Sequence, residues 1–188
     1  MLKGLALWGG RNEVVRLPPP GRSSSVPHQW TALYLVSRPL PDKVSAIQFD
    51  ITSHDQGYGN PQNGLWSWFE VSILGAWAEE PDPNLFHDLS DPAYVRSSPE
   101  EFGEWIQEQG LYFKNLPMGH AQSSGEISTT LVKNTLQSQW QQQVVTWKRG
   151  GDEHEKSAEH LLNLIEEGNR LVIWARVRGG EMRSKKLE

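Results

Sequence analysis

The side chains best suited to chemistry in this chain are concentrated between Ser53 and Glu70. His54, Asp55, Gln56, Tyr58 and Asn60 stand among Gly57, Gly59, Pro61 and Gly64, residues that permit the tight turns needed to gather polar side chains. The segment runs directly into Trp66-Ser67-Trp68-Phe69-Glu70. An aromatic plane beside carboxylates and amides is what a sugar site requires. The ring stacks on the C–H face of a pyranose, and the polar groups make directed hydrogen bonds to its hydroxyls. The flanking strands carry Gln48, Asp50, Trp68 and Glu70 on the faces turned away from their apolar residues, so pairing of those strands would make the four neighbours. Trp174 and Arg176 could join them from the last strand. The expected ligand-binding set is therefore Asp50, Asp55, Gln56, Tyr58, Asn60, Trp66, Trp68, Glu70, Trp174 and Arg176.

The same residues admit plainer roles. Asp55 and Asn60 can hold a turn through Asx hydrogen bonds. Trp66 and Trp68 can cover a second sheet, a helix or a subunit partner. Asp50, Asp55 and Glu70 could also supply the carboxylate pair of a glycoside hydrolase, in which the separation of the two groups decides the stereochemical outcome. Sequence does not give that separation, and no catalytic residue is assigned. Asp152 to His160 is rich in ligand-type residues, but His154 and His160 do not share a helix face and match neither zinc-protease motif. Calcium on Asp55 and Asn60 is chemically reasonable, yet the loop is no EF-hand. No metal ligand and no cofactor are assigned. Neither a G-x-S-x-G element nor a P-loop is present.

The elements that must position these residues are mostly strands. Trp30 to Ser37 reads as a buried strand. Val44 to Thr52 alternates, with Ile47, Phe49 and Ile51 on one side and Gln48, Asp50 and Thr52 on the other. Trp66 to Leu74 alternates again, placing Phe69, Val71 and Ile73 opposite Trp66, Trp68, Glu70 and Ser72. Weak strands are expected near Leu111 to Asn115 and Ile127 to Lys133, and stronger ones over Trp140 to Trp147 and Arg170 to Arg178. Ser98-Pro99-Glu100-Glu101 is a capping box opening a short helix that ends near Gly110. A second helix is expected over Ser157 to Glu167, stopped by Gly168. There are no repeats and no βαβ alternation. The expected fold is mainly β: an antiparallel β-sandwich, jelly-roll-like or galactose-binding-like, with two short helices. Its core should include Ile47, Phe49, Ile51, Phe69, Val71, Ile73, Val145, Leu171 and Ile173.

Ser53-His-Asp-Gln-Gly-Tyr58, Trp66-Ser-Trp-Phe-Glu70 and the later Trp174-Ala175-Arg176 together resemble the pattern S-x-D-Q-G-aromatic, W-[ST]-W-F-[DE], W-A-R of a group of fungal β-rich proteins. Val144-Val145-Thr146-Trp147 also fits. The likeness covers about a quarter of the chain and implies a β-sandwich-like module rather than an activity. After Arg176 the chain departs from it: Val177-Arg-Gly-Gly-Glu-Met stands where further aromatic or Pro-Gly sequence is expected.

Composition bounds the remaining choices. The 188 residues suit a single β-rich domain, with a polar connector at 18–29, a long loop at 79–98 and a flexible tail at 179–188. The absence of cysteine excludes disulfides, thiolate metal sites and a Cys nucleophile. With no convincing signal peptide, it points to a cytoplasmic or intracellular protein. No stretch reaches the length of a membrane span. A net charge of −5 disfavours nucleic acid as a partner. Nine tryptophans exceed what a core of this size needs, so some are expected to serve a surface. The leading expectation is a non-catalytic, lectin-like binding module with a carbohydrate ligand. The alternatives are a protein-interaction or assembly module using the same Trp face, homodimeric in one form, and a glycoside hydrolase-like enzyme.

Overall fold

The computed structural model describes residues 29–53, 67–77, 99–116, 127–134, 139–150 and 156–178. The expected connector at 18–29 lies outside them except for Gln29, which opens the first strand, and the loop at 79–98 and the tail at 179–188 lie outside them entirely. The elements are β1 (Gln29–Val36), β2 (Ala46–Ser53), β3 (Ser67–Ala76), α1 (Pro99–Glu108), β4 (Leu111–Phe113), β5 (Thr129–Lys133), β6 (Gln141–Lys148), α2 (Lys156–Leu164) and β7 (Arg170–Arg178). The fold is mainly β, and every strand pair is antiparallel.

Five strands form one sheet in the order β1-β7-β3-β4, with β5 also on β3. β3 is its axis. One edge of β3 pairs with β7 along nearly its whole length. The other is shared, β5 taking Trp68 to Val71 and β4 taking Leu74 to Ala76. β2 and β6 form a separate two-stranded sheet. Pairing of β2 with β3 would have made Gln48, Asp50, Trp68 and Glu70 neighbours; β2 pairs with β6 instead, with Asp50 opposite Val144. Pairing partners are set by long-range packing, which a local pattern does not encode.

Alternation gives the five-stranded sheet two faces, and both are covered. Phe69, Val71 and Ile73 of β3, with Leu171 and Ile173 of β7, pack against α2 and against the inner side of the smaller sheet, where Ile47, Phe49, Ile51 and Val145 join the same cluster. The core expected from the sequence is this cluster. On the opposite face, α1 lays Phe102 and Ile106 over Leu33, Leu74, Val172 and Trp174. Around Leu74, Val172 and Trp174 that face is not an open surface: a second apolar cluster fills it. The helix owes its position to the helical spacing of Phe102, Trp105 and Ile106, and Gly110, at φ 76°, turns the chain straight into β4.

Two bulges adjust the faces. In β1, Leu33 pairs with Trp174 and Leu35 with Ile173, so Tyr34 is the extra residue. Its ring meets Phe69 edge-on, with centroids 5.9 Å apart. In β5, Leu131 is extra between Val132 and Thr130 and is buried. Each bulge turns one more side chain into the core shared with the smaller sheet. The helix expected to reach Glu167 stops at Leu164. Lys114 Nζ takes the Leu164 carbonyl at 2.8 Å, and Asn169 Oδ1 accepts from the Glu166 amide at 2.9 Å, so side chains replace the last helical bonds.

Ile73 is fully buried, whereas Val144 is exposed on the outer side of β6. In urea unfolding, Ile73→Ala should cost about 2–5 kcal/mol, and Val144→Ala should stay within about 0.5 kcal/mol of the parent.

Candidate functional site

Five of the expected ligand-binding residues are described, and four of them meet on one face of the large sheet. The register sets Trp68 of β3 opposite Arg176 of β7, and Glu70 opposite Trp174. Glu70 and Arg176 then lie on a diagonal, close enough for long side chains to join. Arg176 Nε sits 3.0 Å from Glu70 Oε2, with the two side chains 2 % and 0 % exposed. This contact is an ion pair rather than an aligned hydrogen bond. Glu70 Oε1 accepts from Trp68 Nε1 at 2.7 Å, and Oε2 accepts from Ser128 Oγ at 2.7 Å. Two aligned neutral donors and one cation thus compensate a carboxylate removed from water, without which its burial would cost several kcal/mol.

Glu70, Arg176 and Trp174 are therefore interior groups. Trp174 donates from Nε1 to Ser72 Oγ at 2.8 Å, and its ring meets Phe102 edge-on at 5.4 Å between centroids. Trp68 differs from its three neighbours in being only half-buried. Its indole N–H is committed to Glu70, which fixes the orientation of the ring from inside.

Asp50 is not part of this group. It lies exposed on the outer side of β2, where Gln142 Nε2 donates to Oδ1 at 3.1 Å. Asp50 and Glu70 thus face away from each other across the core shared by the two sheets, a separation of at least the usual sheet spacing of about 10 Å. They share no cleft, and as a pair they do not have the geometry of a glycosidase. Asp55, Gln56, Tyr58, Asn60 and Trp66 lie outside the described residues, as does Asp152 to Glu155. Among the described residues, no group of three or more His, Asp or Glu could hold a metal ion. No described helix is long and apolar enough to cross a membrane.

Sequence reasoning missed the residues that fix the base of the 54–66 segment. Asn134, just beyond β5, is buried and accepts at Oδ1 from Ser53 Oγ at 2.6 Å. Its Nδ2 donates to Ser67 Oγ at 3.0 Å, and its backbone amide donates to the Ser67 carbonyl at 3.0 Å. Gln143 of β6 reaches the same Oδ1 at 3.5 Å. Ser53 ends β2 and Ser67 opens β3, so one amide side chain ties the two sheets together where the segment leaves and returns. Nothing in the local sequence around Asn134 or Ser128 marks them; their partners stand 81, 67 and 58 positions away.

No protein-family model matches the chain, and no curated protein or solved structure matches it significantly.

Removing one partner of the buried pair strands the other. Arg176→Met should cost about 3–5 kcal/mol in urea unfolding, and adding Glu70→Gln, which removes the stranded charge but keeps an acceptor, should recover part of it. Asn134→Ala leaves Ser53 and Ser67 without their shared partner and should cost about 1–3 kcal/mol by the same measurement.

Proposed function

We propose that the chain is a non-catalytic binding module of β-sandwich, jelly-roll-like type, taking a carbohydrate on the surface of Trp68 beside the 54–66 segment. The observation that carries this reading is the way Trp68 is held. A half-buried indole has its N–H fixed by a buried carboxylate, which is itself fixed by Arg176 and Ser128. A stacking platform works by presenting a flat face in a set orientation, and an immobilised ring loses little entropy on binding. In this reading Glu70, Trp174 and Arg176 position the contact residue and do not touch the ligand. Asn134 plays the corresponding part for the 54–66 segment by fixing its two stems. Asp55, Gln56, Tyr58, Asn60 and Trp66 would supply the directed hydrogen bonds and the second aromatic face.

A second reading, a protein-interaction or assembly module, is favoured by a different observation. Val144 and Trp140 are large apolar residues standing 57 % and 56 % exposed in and just before β6, on the smaller sheet. Contact through this surface would bury them, as aromatic and apolar residues are buried at interface cores.

A glycan-array screen decides the first reading. Wild type should bind a defined set of glycans, and Trp68→Ala, folded by circular dichroism, should lose that binding. Retention of every signal by Trp68→Ala would sink it. For the second reading, sedimentation of the wild-type protein should show a dimer that Val144→Glu dissociates; a wild-type monomer removes its homodimeric form.

A further inference from the structure

The geometry points to a second carbohydrate site at the far end of β3, on the opposite face of the sheet from Trp68, built from Trp77, Tyr112, Lys114 and Glu166 and suited to a neutral pyranose chain. Trp77, one residue beyond β3, is 65 % exposed. Its ring is stacked on that of Tyr112, with centroids 5.2 Å apart and planes 16° from parallel. Exposed aromatic side chains of this size ordinarily fold down against the nearest apolar surface or lie loose. Here one ring supports the other, and the outer one is left facing solvent.

The support is made possible by a glycine. Gly75 is the direct cross-strand partner of Tyr112. A Cβ at position 75 would come within 2.6 Å of Tyr112 Cζ and 2.8 Å of its hydroxyl oxygen. Tyr112 therefore lies over bare backbone, a closeness no other residue at 75 allows. The stack is further fixed by the backbone, since the Trp77 amide donates to the Gly110 carbonyl at 2.9 Å.

Polar groups continue the same face. Lys114, one residue past the end of β4 and two from Tyr112, continues the ladder by donating its amide to the Ile73 carbonyl and projects to the same side as Tyr112. Its Nζ meets Glu166 Oε2 at 2.7 Å and the Leu164 carbonyl at 2.8 Å. The Glu166 side chain is 74 % exposed, while Lys114 is 11 % exposed. The lysine thus holds an exposed carboxylate on the face of the sheet that carries the aromatic stack. A carboxylate accepts from vicinal hydroxyls and an indole face takes the C–H side of a sugar ring. The local charge is balanced by the ion pair and the chain carries −5 overall, so a neutral sugar suits the surface better than an acidic one. An apolar ligand would call for an enclosed pocket, whereas this platform is one-sided.

Trp68 and Trp77 stand nine residues apart along an extended strand, about 30 Å at the usual rise. The second site goes beyond the reading based on Trp68 and does not depend on it. If both bind, they face opposite ways and would engage separate chains, raising avidity for a polyvalent surface.

The test uses the full chain with cellohexaose and maltohexaose as probes, followed by the Trp77 indole resonance in amide-proton spectra and by calorimetry. The expected result is that at least one hexaose shifts the Trp77 resonance. Trp77→Ala and Gly75→Ala should each weaken the calorimetric affinity at least tenfold, and Trp68→Ala should leave the Trp77 shift in place. Gly75→Ala is the discriminating variant, because it pushes away only the far end of the Tyr112 side chain and leaves Trp77 intact. A Trp77 resonance unmoved by both sugars overturns the proposal, as does a Trp77→Ala protein that titrates like wild type. Loss of all hexaose binding in Trp68→Ala alone would uphold the first site and remove this one; the reverse pattern would do the opposite. A Trp77 resonance that moves with protein concentration but with neither sugar would make the platform a protein contact and also overturn the proposal.

Discussion

A carboxylate with no exposure to water governs the centre of this fold. Glu70 lies on β3, the strand to which β7, β5 and β4 all attach. Its charge must be met from several directions at once: Arg176 from β7, Trp68 from its own strand, and Ser128 from the chain entering β5. A one-residue slip of β7 would turn Arg176 to the other face and place an apolar side chain against the carboxylate. The pair therefore specifies register more than it adds stability, since a well-packed apolar replacement could be as stable. Both neighbours of β3 near Trp68 are held to one alignment by the same group.

That constraint explains why the strands were legible in the sequence and the nature of the site was not. Period-two alternation over Val44 to Thr52, Trp66 to Leu74 and Arg170 to Arg178 marks real strands, and the apolar phase of each enters one cluster. The opposite phase reads Trp, Glu, Ser in β3 and Val, Trp, Arg in β7. A polar phase normally faces water, so these residues suggest an open binding surface. A carboxylate and a guanidinium that satisfy each other have the same letters as two that wait for a ligand, and only pairing geometry separates the cases. The apolar members of that phase, Val172 and Trp174, together with the amphipathic α1, were the available sign that something covers it.

The position of β2 shows a second limit. Its alternation is clear, and its inner residues reach the predicted core, but its partner is β6, about ninety residues later. Strand order depends on which pairing lets both sheets close over one core, a global quantity. The bulges at Tyr34 and Leu131 are likewise invisible locally: each inserts a residue to suit packing on the far side of the sheet. Asp50 does lie on a polar face, but its neighbours there are Val144 and Gln142 rather than Trp68 and Glu70. Asn134 is unmarked in the sequence for the same reason, since its role exists only once Ser53 and Ser67 are brought together.

Polar interiors of this kind cost stability unless every member is satisfied, and they confer rigidity when it is. Here the rigidity is delivered to particular places. The Glu70 network ends on the half-buried side chain of Trp68, and the Asn134 network ends on the two stems of the 54–66 segment. Both lie near the start of β3, where the large and small sheets meet. Burial alone could have been achieved with aliphatic residues, which pack without directional demands. Directional bonds fix what packing leaves free: the rotation of an indole about its own axis and the separation of two strand ends. Those are the degrees of freedom that the proposed recognition surface would have to hold constant, which ties that reading to Glu70, a fully buried charge among the described residues.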